Sequence, residues 1–202
     1  FIDTNFLKTL EQKDILSGLG EMLHYFIVSG PADARLFKEK ALGVKESLAE
    51  IDDLIYRSLQ IKKSLIEIDE FDQGPRNIFN YGHTFGHALE SVTNYNIPHG
   101  ISVSIGIDLA NLISVDLGLL SMKERNQMRE LCAMVFEDIV IPLIDQDAYK
   151  NALKKDKKNI GDDLGLILTN GIGKTFKHLT SYKVIEKRVQ DFFLEKQYLK
   201  KL

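Results

Sequence analysis

Between its prolines this chain spaces apolar side chains three and four residues apart over most of its length, and only Pro31, Pro75, Pro98 and Pro142 interrupt the pattern. A helix turns once in about 3.6 residues, so such spacing gathers one apolar stripe per segment and predicts packed helices. Ile15, Leu19, Met22, Leu23, Phe26 and Ile27 make a stripe over 14–28. After the Ser29-Gly30-Pro31 break a second arm covers 32–48, and a long amphipathic helix is expected over 51–68, ending at Asp72-Gln73-Gly74-Pro75. A further helix is read over 77–91. The one after it, 100–117, is rich in small residues and apolar almost all round, which places it at the centre of the fold. The segment 121–135 opens on Ser121 with Glu124 three residues later, a capping box. Strand signals are confined to 164–168 and 176–179, flanking Asn170-Gly171-Ile172-Gly173. The expected fold is all-α or nearly so, one multi-helical domain over 1–202 with at most a short β-hairpin near its C-terminal end.

With 202 residues, 44% hydrophobic and 27% charged, the chain can bury a core of its own, and extended disorder is excluded. Twenty-six basic against 29 acidic residues leave a net charge of −3, so no overall field recruits nucleic acid or an anionic membrane. The apolar runs fall short of the roughly 20 residues that a spanning helix needs. The single cysteine, Cys132, cannot form an internal disulfide and is read as a core side chain, which suits a reducing cytoplasm. The first residue is Phe1, so translation is expected to have begun upstream.

Chemistry concentrates in Arg76-Asn-Ile-Phe-Asn80-Tyr-Gly-His83-Thr-Phe-Gly-His87 and Pro98-His99-Gly100, which hold three of the five histidines. On one continuous helix His83 and His87 share a face, with Asn80 and Arg76 one and two turns before them. Such imidazoles can address one metal or one substrate, or can simply pack. The sequence His-Thr-Phe-Gly-His lacks the glutamate of the metalloprotease motif, so a carboxylate has to come from elsewhere. Glu21, set among apolar neighbours, is the candidate; the alternative is a solvated Glu21 on the polar side of its helix. One Glu and two His around a cation leave a position open for water or substrate. Zinc suits these donors, with cobalt, nickel or iron as alternatives. Lys62 and the run from Lys154 to Lys158 add cations that suit an anionic substrate, although Lys154 and Lys155 read as a solvated helix end. Gly171-Ile-Gly-Lys174-Thr175 is not a phosphate loop, because Leu168 stands where the first glycine belongs, and no dinucleotide fingerprint occurs.

Together these motifs resemble the C-terminal domain of 3-dehydroquinate synthase, within the sugar-phosphate cyclases. The resemblance runs from about Phe1 to about Lys187 and rests on Asp69-Glu-Phe-Asp-Gln-Gly-Pro-Arg76, Asn80-Tyr-Gly-His83-Thr-Phe-Gly-His87-Ala-Leu-Glu90, Pro98-His99-Gly100 and Asp156-Lys-Lys. It implies Glu21, His83 and His99 as metal ligands. It implies Lys62, Arg76, Asn80 and His87 as catalytic residues that contact substrate or relay protons, and Lys158 as a substrate-binding cation. The family closes a seven-carbon keto-acid phosphate into a carbocycle, in the shikimate pathway to aromatic amino acids. It uses a divalent metal and NAD: transient oxidation, loss of phosphate, re-reduction, ring opening and an aldol step. The resemblance also suggests a homodimer.

Two departures stand out. His24 occupies the place, three residues after the metal-binding glutamate, where the family usually has lysine; it is read as a substrate-binding position with altered charge. The family's NAD-binding α/β domain precedes this region and is not among these residues, 1–13 resembling the segment that follows it. The fragment is therefore expected to be inactive alone. Other readings are a cyclase of different substrate, an iron-type alcohol or polyol dehydrogenase, and an inactive relative kept as a binding module.

Overall fold

The computed structural model describes residues 2–155, 159, 161 and 163–198, with side chains through 195. Among the described residues, eight α-helices and two 3-10 segments account for 68%, and the only sheet is a two-stranded antiparallel hairpin. The nearly all-α expectation holds. The helices are α1 (Gln12–Ser29), α2 (Pro31–Ser47), α3 (Ile51–Ile66), α4 (His83–Val92), α5 (His99–Asp116), α6 (Met122–Phe136), α7 (Gln146–Lys154) and α8 (Tyr182–Tyr198), with 3-10 segments at Thr4–Thr9 and Pro75–Asn80.

The helix α5 forms the axis, buried without a break from Gly100 to Ser114 as its apolar composition predicts. Most of its polar side chains find partners within the fold, although Asn111 Nδ2 is buried without one. Ser104 and Ser114 donate to the carbonyls one turn back, Asn111 accepts from the Tyr81 hydroxyl, and Asp108 accepts from Arg125 and Arg129 of α6, each at 2.8 Å. That ion-paired carboxylate fixes α6 against α5 at a fully buried point, where either partner alone would be costly. The capping box at Ser121 and Glu124 is present, and Cys132 is fully buried, as its apolar setting implied.

The hairpin β1 (Asp163–Thr169) and β2 (Thr175–Ser181) pairs Asp163 with Ser181 through Thr169 with Thr175. It packs β1 on the core: Thr84 of α4 donates to the Gly165 carbonyl, and the Thr169 amide donates to Ser114 of α5. No described helix is long and apolar enough to cross a membrane.

The helix expected over 77–91 is two elements. A 3-10 segment ends at Asn80, Gly82 turns the chain at φ +80°, and α4 starts at His83. A side chain at Gly82 would be strained by that φ and would also press within 2.5 Å of the Val103 carbonyl of α5. Arg76 and Asn80 therefore do not continue the stripe of His83 and His87 down one helix. Two helices, α7 and α8, had no counterpart in the sequence reading. Asp145 caps α7 by accepting from the Ala148 amide, and Tyr149 secures it under α4 by donating to the Phe85 carbonyl at 3.0 Å.

Candidate metal and substrate site

Three helices meet where glycines let their backbones touch. A Cβ on Gly20 of α1 would stand 2.1 Å from the Gly100 carbonyl oxygen, and one on Gly100 would stand 1.8 Å from that of Ser17. No side chain fits between, so α1 crosses the first turn of α5 in direct contact, and the Gly100 amide donates to Ser17 Oγ at 3.0 Å. On the other flank a Cβ on Gly106 would meet the Gly82 carbonyl oxygen at 2.1 Å. These two crossings bring Glu21, next to Gly20, together with His99, next to Gly100, and His83, next to Gly82.

The Glu21 carboxylate lies at the centre. Its Oε2 stands 3.3 Å from His99 Nε2 and 3.7 Å from His83 Nε2, and its Oε1 stands 3.3 Å from His24 Nε2. The other nitrogens of the first two rings are directed away. His99 Nδ1 donates to Glu90 Oε1 at 2.8 Å and His83 Nδ1 faces the Tyr81 carbonyl at 3.3 Å, a pattern that fixes ring orientation and turns both Nε2 atoms toward Glu21. The His87 ring stacks at 5.5 Å on His99 and meets His83 edge-on at 5.4 Å. Donor atoms of Glu21, His24 and His83 lie within 4.8 Å of one another, as do those of His87, Glu90 and His99.

Electrostatics follow the geometry. Burial would raise the Glu21 carboxyl, but the imidazoles of His24, His83 and His99 outweigh it and hold the group far below the ordinary carboxylate range. His99 is raised to about 10 by Glu21 and then Glu90, against its own burial. His24 is pushed down to about 4, mainly by burial, and is neutral near pH 7.

The donor set suits a small divalent cation. It comprises one carboxylate and imidazole nitrogens, and Glu21 Oε2 is buried without a well-formed hydrogen bond. Two ligands of a tetrahedral zinc, each about 2.0 Å from it, stand about 3.3 Å apart. The 3.3 and 3.7 Å separations across Glu21 Oε2 are of that size.

The other expected site residues fall around this centre. Lys62, exposed on α3, holds Nζ 5.7 Å over the ring of Tyr25 on α1. Tyr25 is raised to about 12 by burial and then by Glu21, with Arg76 close enough to oppose the rise. Arg76 Nη1 donates to the Asp69 and Glu70 carbonyls, while Asn80 donates to Asp72 and to the Asn77 carbonyl. Arg76 and Asn80 are therefore held by the 69–80 turn that precedes α4. His24 is 1% exposed and faces Glu21. Lys158 lies outside the described residues. Two participants, Glu90 and Tyr25, were given no role from sequence, although Glu90 stands three residues after His87 and next to Leu89.

Residues 18–159 match the family model of the 3-dehydroquinate synthase C-terminal domain. The chain is 34% identical over 174 residues to the 3-dehydroquinate synthase of Campylobacter curvus and 34% over 189 residues to that of Clostridium perfringens, covering 86% and 92% of itself. It spans about half the length of these relatives, 49% and 53%. Among solved structures it superposes on 2-deoxy-scyllo-inosose synthase complexed with carbaglucose-6-phosphate, NAD+ and Co2+, with a TM-score of 0.78 at 21% identity over 94% of this chain and 55% of that one. It also superposes on 2-epi-5-epi-valiolone synthase from Streptomyces hygroscopicus with NAD+ and Zn2+ bound, with a TM-score of 0.80 at 21% identity over 96% and 55%. The helical fold is thus shared with sugar-phosphate cyclases, and by its sequence the chain belongs to the 3-dehydroquinate synthase family, in that family's C-terminal domain.

Proposed function

We propose that Glu21, His83 and His99 hold a divalent cation, zinc or cobalt, and that the chain is the metal- and substrate-binding half of a cyclase of the 3-dehydroquinate synthase type. Its substrate is a seven-carbon keto-acid phosphate, cyclised with release of phosphate in the shikimate pathway. The carrying observation is the convergence of two imidazole Nε2 atoms on one oxygen of Glu21, each ring oriented through its other nitrogen. The metal and NAD bound by the two structural relatives support the cofactors, and the sugar phosphate analogue bound by one supports the substrate class.

When bound, such a cation polarises hydroxyl and carbonyl oxygens of the substrate. The chain's own groups do the rest. His87, exposed and in ring contact with both His83 and His99, is placed to accept or return a proton at a substrate hydroxyl. Arg76 spends Nη1 on two carbonyls and keeps its remaining N–H groups for an anion. Lys62, and Lys158 beyond the described residues, supply further charge for carboxylate or phosphate, and Asn80 offers an amide to substrate oxygens. Hydride transfer belongs to an NAD site outside these 202 residues, which hold no dinucleotide fingerprint. A cyclase acting on another sugar phosphate is the second reading, favoured by the buried His24, which stands where the family usually has lysine and so leaves the site one cation short.

Metal analysis of the purified chain tests the site. About one divalent ion per chain is expected, lost in Glu21→Ala and in His83→Ala. Full occupancy in both variants would overturn the assignment.

A further inference from the structure

We infer that His24 is a positioning residue for the cation site: its Nε2–H holds Glu21 by Oε1 and so presents Oε2 alone to His83 and His99. The inference rests on the metal site proposed above and adds to it a residue that touches neither cation nor substrate.

The two oxygens of Glu21 face different partners. His24 Nε2 is 3.3 Å from Oε1, whereas the Nε2 atoms of His99 and His83 are 3.3 and 3.7 Å from Oε2. An ionised carboxylate only accepts hydrogen bonds, so the proton of this contact sits on His24 Nε2. The opposite nitrogen, Nδ1, is then a lone pair, and it is buried without a partner. One nitrogen of the ring is therefore engaged, and it is engaged by Glu21.

The ring has little freedom to do anything else. It lies 3.8 Å from the Tyr25 ring at 41°, and it meets Phe79 and His83 edge-on at 6.0 and 5.0 Å. Only 1% of the residue is exposed, so a substrate has no surface of His24 to contact. One helical turn separates it from Glu21 on α1, so donor and acceptor move as one body. A carboxylate tied through one oxygen binds a cation through the other, which leaves more of the cation's shell for substrate oxygens than a bidentate grip would.

The test is a Co2+ titration of the 202-residue chain, followed by binding affinity and the visible absorption bands. His24→Phe keeps an aromatic ring in the slot and removes the donor; His24→Gln replaces the Nε2 donor by an amide. Loss of such an outer partner typically weakens metal binding about 10–100-fold. That loss, with altered bands, is expected for His24→Phe, while His24→Gln should stay within about threefold of the parent and keep its bands. Where thermal melting shows the Phe variant unfolded, His24→Leu takes its place with the same expectation. Unchanged affinity and bands in a folded variant without the donor would overturn the inference. Equal loss in His24→Gln would also overturn it, showing the ring nitrogen itself to be a ligand. If the parent chain bound no Co2+, the metal site and this inference would fall together; if it bound and only the His24 expectations failed, the site would stand.

Discussion

Glu90 decides which nitrogen His99 can offer. Its carboxylate, 7% exposed on α4, accepts from His99 Nδ1 at 2.8 Å and so directs Nε2 toward Glu21. In Glu90→Ala that imidazole loses its acceptor and its orientation, and metal affinity should fall about 10–100-fold, the usual effect of removing such a partner. Glu90→Gln keeps an accepting oxygen and should lose less. Competition against a coloured chelator measures both, and an unchanged affinity in Glu90→Ala would show that His99 is oriented by something else. Glu21, His83 and His99 were expected as a set from the family resemblance, and the structure brings both imidazoles to one oxygen of that carboxylate. Glu90 was not legible, because an acid on the inner side of a helix is spelled like one on the outer side. Its meaning comes from His99, nine residues on and at the start of another helix.

Helix crossings set the distances between those residues, and the glycines at the crossings are their spacers. Gly100→Ala would drive a Cβ to 1.8 Å from the Ser17 carbonyl oxygen and 2.6 Å from the Glu21 amide, both backbone atoms that cannot swing aside. The helices α1 and α5 would have to part, with a loss of about 1–3 kcal/mol or more, as overpacking costs. Glu21 and His99 would separate with them, so weaker metal binding should accompany the lower melting temperature. Gly18→Ala is the control: it follows Ser17 directly but lies on the outer side of α1, exposed and with nothing within 4 Å of its added Cβ. There the substitution should stabilise by about 0.5–1 kcal/mol through helix propensity and leave metal binding unchanged. Loss of binding in both variants would mean that the crossing does not set the site. At this scale the sequence spoke through periodicity, which located α1 to α6 but ran 77–91 together. The apolar spacing there is indifferent to the turn at Gly82, whose φ of +80° a single letter does not reveal. The helix α7 is nine residues with a mainly polar face, held by Asp145 and by Tyr149 beneath α4. For α8 the signal was present, since Ile185, Val189, Phe192 and Phe193 recur at helical spacing and all are buried.

Over the whole molecule, the proposed ligand set ties together parts of the chain that nothing local keeps adjacent. Glu21 belongs to α1, His83 to α4 and His99 to α5, and they meet only because all three helices share one continuous core. An unfolded chain scatters them, so a cation that binds all three binds the native state almost exclusively. A ligand at about 100 times its Kd then stabilises by about 2.7 kcal/mol. For a chain of 150–250 residues each kcal/mol moves the melting temperature by about 2–4 °C, which gives a rise of about 5–11 °C. Thermal melts with and without zinc should show that rise in the parent chain and none in His83→Ala. The rise should also grow with the logarithm of free metal, as mass action requires. A surface histidine pair would give a smaller rise, because part of its metal binding continues after unfolding. If zinc bound stoichiometrically yet left the transition where it was, the ligands would have to be local in sequence. The convergence of α1, α4 and α5 on one cation would then be wrong, even though the fold that brings those helices together would remain.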